Sequence, residues 1–167
     1  MTLIQIQQVV RQHPILVFIA CVGLVFLVGG VGSLATLPNI PTWYAGLEKP
    51  PLNPPNTIFG PVWSFLYVLI GTSLFVVLRT KTSKLLLQPA LSWFSIQLVL
   101  NLLWSLVFFG FQAPWLAFAV IISLIAAIIM TYLSFEPISK RAAYLLLPYL
   151  AWVSFATYLN GSVAYLN

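Results

Sequence analysis

Five long apolar stretches, separated by short polar or proline-rich breaks, organise this chain. They cover residues 14–36, 59–79, 88–110, 114–135 and 142–165. Each matches the roughly 20 helical residues that cross a hydrocarbon layer about 30 Å thick. The runs are continuous and lack the period-two alternation of barrel strands. Charged residues lie at the ends or between the runs: Arg11, Glu48, Lys49, Arg79, Lys81, Lys84, Glu136, Lys140 and Arg141. The pattern predicts an all-α integral membrane protein, a five-helix bundle that forms one domain over residues 1–167. A cleavable signal peptide is the rival reading of the N-terminus. The apolar run after His13 exceeds the usual h-region of about 7–15 residues, which favours a first span.

Prolines mark the same boundaries. Pro14, Pro89 and Pro114 are expected in first helical turns, where a missing N–H costs nothing. Pro148 is expected well inside the fifth helix, where it should bend it. Pro38, Pro41, Pro50, Pro51, Pro54, Pro55 and Pro61 crowd into a single long connection. Such a segment is stiff and opposes regular helix. A stiff loop of this length is expected to act as a lid or a partner surface.

Composition narrows the function. Hydrophobic residues make up 61% of the chain and charged residues 5%, against about a quarter in a soluble domain; a water-soluble globule is excluded. The chain has one cysteine, Cys21, and one histidine, His13. Disulfide frameworks and multi-His/Cys metal sites are therefore excluded, and both residues read as structural. The net charge of +5 comes from scattered loop residues and forms no nucleic-acid stripe. With five spans, Arg11, Arg79, Lys81, Lys84, Lys140 and Arg141 share one side, and only Lys49 lies on the other. The positive-inside rule then places the N-terminus in the cytoplasm and the proline-rich loop and C-terminus outside.

Helical faces locate the candidate site. Trp63 and Tyr67 share a face of the second span. In the third, Trp93, Gln97, Asn101, Trp104, Ser105 and Phe108 fall within an arc of about 120°. In the fifth, Tyr149, Trp152, Ala156 and Asn160 form a narrow stripe. The fourth span has few such groups beyond Trp115 and Tyr132 and is expected to face lipid. Gln97 and Asn101 are costly toward acyl tails, so their stripe should point inward. An interior of Trp, Tyr, Asn and Gln suits a flat aromatic ligand. The competing readings are interfacial anchoring for Trp93 and Trp115 and interhelical bonding for Gln97 and Asn101. No ionisable group lies at depth, which argues against an ion pump. No Ser–His–Asp set or carboxylate pair exists for hydrolysis. Gly29 and Ser33 form a small-residue face that permits close helix approach, within the bundle or between two chains.

Four motifs, in order, resemble the TspO/MBR family of tryptophan-rich sensory proteins and translocator proteins, the peripheral-type benzodiazepine receptors. They are Trp43-Tyr44-x-x-Leu47-x-Lys49-Pro50 with Pro54-Pro55, and Phe59-x-Pro61-Val62-Trp63-x-x-Leu66-Tyr67. Gln97-x-x-Leu100-Asn101-x-x-Trp104-Ser105-x-x-Phe108-Phe109 and Pro148-Tyr149-Leu150-x-Trp152-x-x-Phe155-Ala156-x-x-Leu159-Asn160 complete the set.

The resemblance implies a five-helix bundle, often a homodimer, whose first loop closes over a pocket. Its implied ligands are tetrapyrroles such as protoporphyrin IX and haem, with no resident cofactor. By motif match the pocket uses Trp43, Tyr44, Trp63, Tyr67, Asn101, Trp104, Trp152 and Ala156. A receptor or sensor regulating porphyrin or stress responses is the first expectation. Light- and oxygen-dependent porphyrin breakdown, with Trp63 and Trp152 as the catalytic pair, is the second, and transport of porphyrin or another lipophile the third. The aromatic–basic element that follows the last helix in vertebrate members, tied to cholesterol, has no counterpart in Gly161–Asn167, which carries no Lys or Arg. A bacterial-type member in the cell (inner) membrane is expected.

Overall fold

The computed structural model describes the backbone of residues 3–167 and the side chains of residues 8–167. The chain forms α1 (Leu3–Gln12), α2 (Pro14–Thr36), α3 (Asn56–Arg79), α4 (Lys84–Ser105), α5 (Pro114–Phe135), α6 (Lys140–Tyr144) and α7 (Leu147–Leu166). Two 3-10 turns, Leu37–Asn39 and Tyr44–Gly46, shape the long connection. A wide π turn, Leu106–Gly110, extends α4. Five segments are long and apolar enough to cross a membrane: Pro14–Asn39, Asn56–Arg79, Lys84–Gly110, Pro114–Phe135 and Lys140–Leu166. The protein is a multi-pass membrane protein that lives in a lipid bilayer.

The helix boundaries follow local chemistry. Pro14 and Pro114 open α2 and α5 from the first turn, as expected. Pro89 does not: α4 starts earlier, at Lys84 behind Ser83, and carries Pro89 inside. The Lys84–Leu87 run favours helix strongly enough to absorb one missing backbone bond. Pro61 likewise lies inside α3, which begins at Asn56 after Pro55. Pro148 corrects the expectation of a bend deep in the last helix. The chain turns at Leu145 and Leu146, and Pro148 sits in the first turn of α7. The proline ring conflicts with the carbonyl four residues earlier, here that of Tyr144, so the helix stops and restarts. Ser139 caps α6, accepting from the Ala142 amide at 3.4 Å.

The spans close into a ring. α2 packs on α3 and α4, α4 on α5, α5 on α7, and α7 and α6 on α3. The fourth span, α5, faces lipid on one side but packs the bundle on the other, burying Ala117, Ile121, Leu124, Ile128 and Phe135. These are apolar positions, so a search for polar faces passes over them. α1 lies outside the ring against α3, with Val10 buried and Arg11 exposed. Arg11, Arg79, Lys81, Lys84, Lys140 and Arg141 gather at one end of the ring, called here the basic end. Among the described residues the one ion pair is the exposed Lys140–Glu136 contact at 3.8 Å. The 37–55 segment covers the opposite, lid end.

Candidate functional site: an uncharged aromatic cavity beneath the lid

A cavity of about 520 Å³ opens beneath the lid between α2, α3, α4 and α7, within the usual range of about 300–1,000 Å³ for ligand pockets. α5 contributes none of its lining. Small residues make the space: Gly29, Gly32 and Ser33 on α2, Gly60 and Ser64 on α3, Ser105 on α4 and Ala156 on α7. Two glycines also set helix spacing. A Cβ on Gly71 would lie 2.5 Å from the Val22 Cα, and a Cβ on Gly29 would overlap the Tyr67 ring. Gly29 makes its close approach inside the chain, against Tyr67.

The walls are aromatic. Trp63 and Tyr67 lie one turn apart on α3 with ring centroids 5.5 Å apart. Trp104 stacks on Phe108 at 5.6 Å, and Phe108 meets Phe109 edge-on at 4.8 Å. Phe108 and Phe109 both line the cavity, although neighbours on an α-helix point about 100° apart. The wide turn explains this: Phe111 N–H donates to the Leu106 carbonyl at 2.9 Å, five residues back. The helix then ends at Gln112, whose φ of 52° is left-handed. Its amide donates to Asn39 at 3.1 Å and ties the α4–α5 loop to the lid.

Polar groups hold the walls together. Asn101 donates to the Tyr149 hydroxyl at 3.0 Å. The Trp104 indole donates to Asn160 at 2.9 Å, and the Asn160 amide donates to the Pro114 carbonyl at 2.9 Å. Thr36 and Ser105 share a 2.8 Å hydroxyl contact across α2 and α4. The Trp63 indole N–H and the Tyr67 hydroxyl enter none of these bonds. Among the described residues no charged side chain lines the cavity.

The lid is pinned at several points. Tyr44 is buried, lines the cavity roof and donates to Asn53 at 3.0 Å. Burial pushes its phenol pKa up, with the Asn53 bond partly opposing, so the group stays a neutral donor. Lys49 folds over the Tyr44 ring, 4.7 Å from its centroid, and donates to the Leu47 carbonyl at 3.0 Å. Asn167, at the end of α7, accepts from the Glu48 amide at 3.0 Å and donates to the Glu48 carbonyl at 3.1 Å.

Of the residues singled out from sequence, Tyr44, Trp63, Tyr67, Asn101, Trp104 and Ala156 come together around the cavity. Trp43 and Trp152 do not line it. Trp43 packs edge-on against Phe108 at 5.5 Å, behind the roof. Trp152 packs on Phe59 at 5.8 Å and Phe155 at 5.7 Å, outside the lining, with its indole N–H buried and without a protein partner. Gln97 is buried with both amide atoms unpaired in the protein, and it too lies outside the lining. Sequence reasoning passed over Thr36, Gly60 and Ser64. Their signal is small size on cavity-facing helix positions, which polarity and aromaticity do not register.

Together these features define a multi-pass membrane bundle with an uncharged, aromatic-lined cavity under a pinned loop. Residues 21–166 match the TspO/MBR family, and the chain belongs to it. It is 44% identical over 153 residues to the tryptophan-rich protein TspO of Chlorobaculum tepidum, covering 92% of this chain and 97% of that one. The tryptophan-rich protein TspO of Archaeoglobus fulgidus is 42% identical over 156 residues, 92% of this chain and 98% of the relative. The human translocator protein is 37% identical over 124 residues, 72% of each chain.

Proposed function

We propose that this protein is a membrane receptor or sensor that binds a tetrapyrrole, such as protoporphyrin IX or haem, in the cavity beneath the lid and so regulates porphyrin or stress responses. The observation that carries the reading is the lining itself: indole and phenol rings around an uncharged space, with free donors on Trp63 and Tyr67. Flat aromatic ligands gain from offset and edge-on ring contacts, and a few fixed polar groups orient them. Tyr44, Trp63, Tyr67, Asn101, Trp104 and Ala156 form the contact surface; Trp43 and Trp152 support it from behind. The basic end lies in the cytoplasm of a bacterial cell membrane, and the lid faces outward.

Light-driven porphyrin breakdown is the second reading. Trp63 favours it, because its indole sits in the wall beside Tyr67 and 6.2 Å from Tyr149. A ring so placed can exchange an electron with a photoexcited ligand, with dioxygen as the oxidant.

Titration of the purified protein with protoporphyrin IX, in darkness and in light, separates the two. Saturable quenching of tryptophan fluorescence with a stable porphyrin absorption band is the outcome expected of a receptor. Light-dependent loss of the band, abolished in Trp63→Phe and Trp152→Phe, would transfer the assignment to chemistry. Absence of saturable quenching would remove both.

A further inference from the structure

We propose that the basic end of the bundle is a docking surface for the phosphate headgroups of anionic phospholipids. The inference concerns the end of the molecule remote from the cavity and is independent of what the cavity binds.

Charge is divided unequally between the two ends. At the lid end Lys49 and Glu48 cancel. At the basic end Arg11, Arg79, Lys81, Lys84, Lys140 and Arg141 face only Glu136, so the whole net charge of +5 lies there. Lys140 takes that acid at 3.8 Å. Among the described residues the other five cations have no acidic partner, and all five are exposed. The fold brings these groups, distant in sequence, to the end of α3. α2 and α3 run antiparallel in a fixed register, with Phe18 edge-on to Phe75 at 5.5 Å and Val22 against Gly71. One turn beyond the Phe18–Phe75 pair, Pro14 stands level with Arg79. α1, which carries Arg11, ends just before Pro14 and packs on α3. α6 packs on α3 as well. Its Ala142 and Ala143 are buried, while its Lys140 and Arg141 are exposed.

Depth selects a lipid over a soluble partner. Ile15 and Leu16 at the start of α2, Leu85 beside Lys84, and Tyr144 one turn from Arg141 are all exposed. Apolar and aromatic side chains at the ends of spans lie against acyl chains and the interface. The cations beside them therefore stand at the level of the headgroup phosphates, where a soluble acidic protein reaches them only by displacing lipid. Chemistry then separates one lipid from another. The guanidinium groups of Arg11, Arg79 and Arg141 are planar forks that match two phosphate oxygens at once, and Lys81 and Lys84 add compact point charges. Phosphatidylglycerol offers a phosphodiester with no cation of its own. Phosphatidylcholine carries a quaternary ammonium beside its phosphate, which the cluster repels. Attraction between Lys or Arg and anionic headgroups acts within a Debye length of the surface, and the exposed cluster lies inside that distance.

The test is a competition between two lipids. The full-length protein, delipidated in a neutral detergent, is offered phosphatidylglycerol and phosphatidylcholine in equal amounts with matched acyl chains. Retained lipid is read by native mass spectrometry. The unaltered protein is expected to keep phosphatidylglycerol at least fivefold over phosphatidylcholine. In Arg79→Gln/Arg141→Gln the preference should fall below twofold, while Lys49→Gln at the lid end keeps it in full. Equal retention of the two lipids by the unaltered protein would overturn the proposal. So would a preference that survives the double change, or one that Lys49→Gln removes equally. Folding of each variant is checked by its melting temperature, and Lys81→Gln/Lys84→Gln serves if the arginine pair unfolds. Loading is repeated with sodium phosphate replacing sodium chloride at equal ionic strength. An unchanged preference supports a lipid site; its loss would show that the surface takes free phosphate and would overturn the assignment to lipid.

Discussion

At the basic end of the bundle, Phe94 and Phe135 stack with centroids 6.0 Å apart, and Val77, Ile128 and Leu146 are buried in the same core. At the lid end α2, α3, α4 and α7 part around an open cavity framed by Gly29, Gly32, Gly60, Ser105 and Ala156. Both ends are strongly apolar, so hydrophobicity does not separate them. In a bilayer it has little power to do so, because acyl chains are as apolar as leucine and packing must drive helix association. Side-chain size makes the difference. Interlocking rings and branched chains fill the basic end, while glycine, serine and alanine at the lid end hold the backbones together in places and leave space elsewhere.

That contrast is most easily broken at its solid end. Phe135→Ala should cost about 3 kcal/mol through lost packing, read as a lower melting temperature in detergent. Porphyrin quenching should persist in whatever fraction stays folded. At the hollow end, Ala156→Leu should do the opposite: it fills the cavity, reduces protoporphyrin IX affinity at least tenfold and leaves the melting temperature unchanged or raised. A loss of stability there comparable to that of Phe135→Ala would mean that the space is not free.

Smaller effects sharpen the picture. Gln97 lies between the two regions with its amide unpaired in the protein. Replacing a buried unsatisfied group by an apolar one of similar shape is neutral or stabilising, so Gln97→Met should raise stability by about 1 kcal/mol. A clear decrease would show that the amide serves a hydrogen-bonded role. The smallest effect belongs to the roof. Asn167→Ala removes two exposed bonds to Glu48 and should leave stability within about 0.5 kcal/mol. Hydrogen exchange at the Glu48 amide should nonetheless quicken severalfold.

Much of this architecture can be read from the chain. The five spans are legible because a bilayer demands about 20 apolar residues per crossing, and Pro14 and Pro114 mark helix starts because the first turn tolerates them. Prolines further in are ambiguous. Pro89 continues a helix and Pro148 forces a restart, and only the packing around α6 distinguishes the two cases. Faces are legible from periodicity, which brings Trp63, Tyr67, Asn101, Trp104 and Ala156 to one interior. Depth and rotation are not. Trp43 and Tyr44 are neighbours, yet one packs behind the roof and the other forms it. Trp152 shares a stripe with Ala156 but turns toward Phe59 and Phe155. The buried side of α5 escaped notice because its residues, such as Ile121 and Ile128, look the same toward protein as toward lipid.

The wide turn at Leu106–Gly110 has a consequence for how the upper wall of the site varies. It acts as a swivel: everything after Ser105 is rotated relative to the lower part of α4 by the one extra residue the turn holds. Phe109 and the strap at Gln112 therefore take their bearing from this turn, not from the helical wheel that Asn101, Trp104 and Phe108 share. Loss or gain of a single residue there would re-aim the whole aromatic rim while leaving the floor untouched, a one-step route to a different ligand shape on the same scaffold.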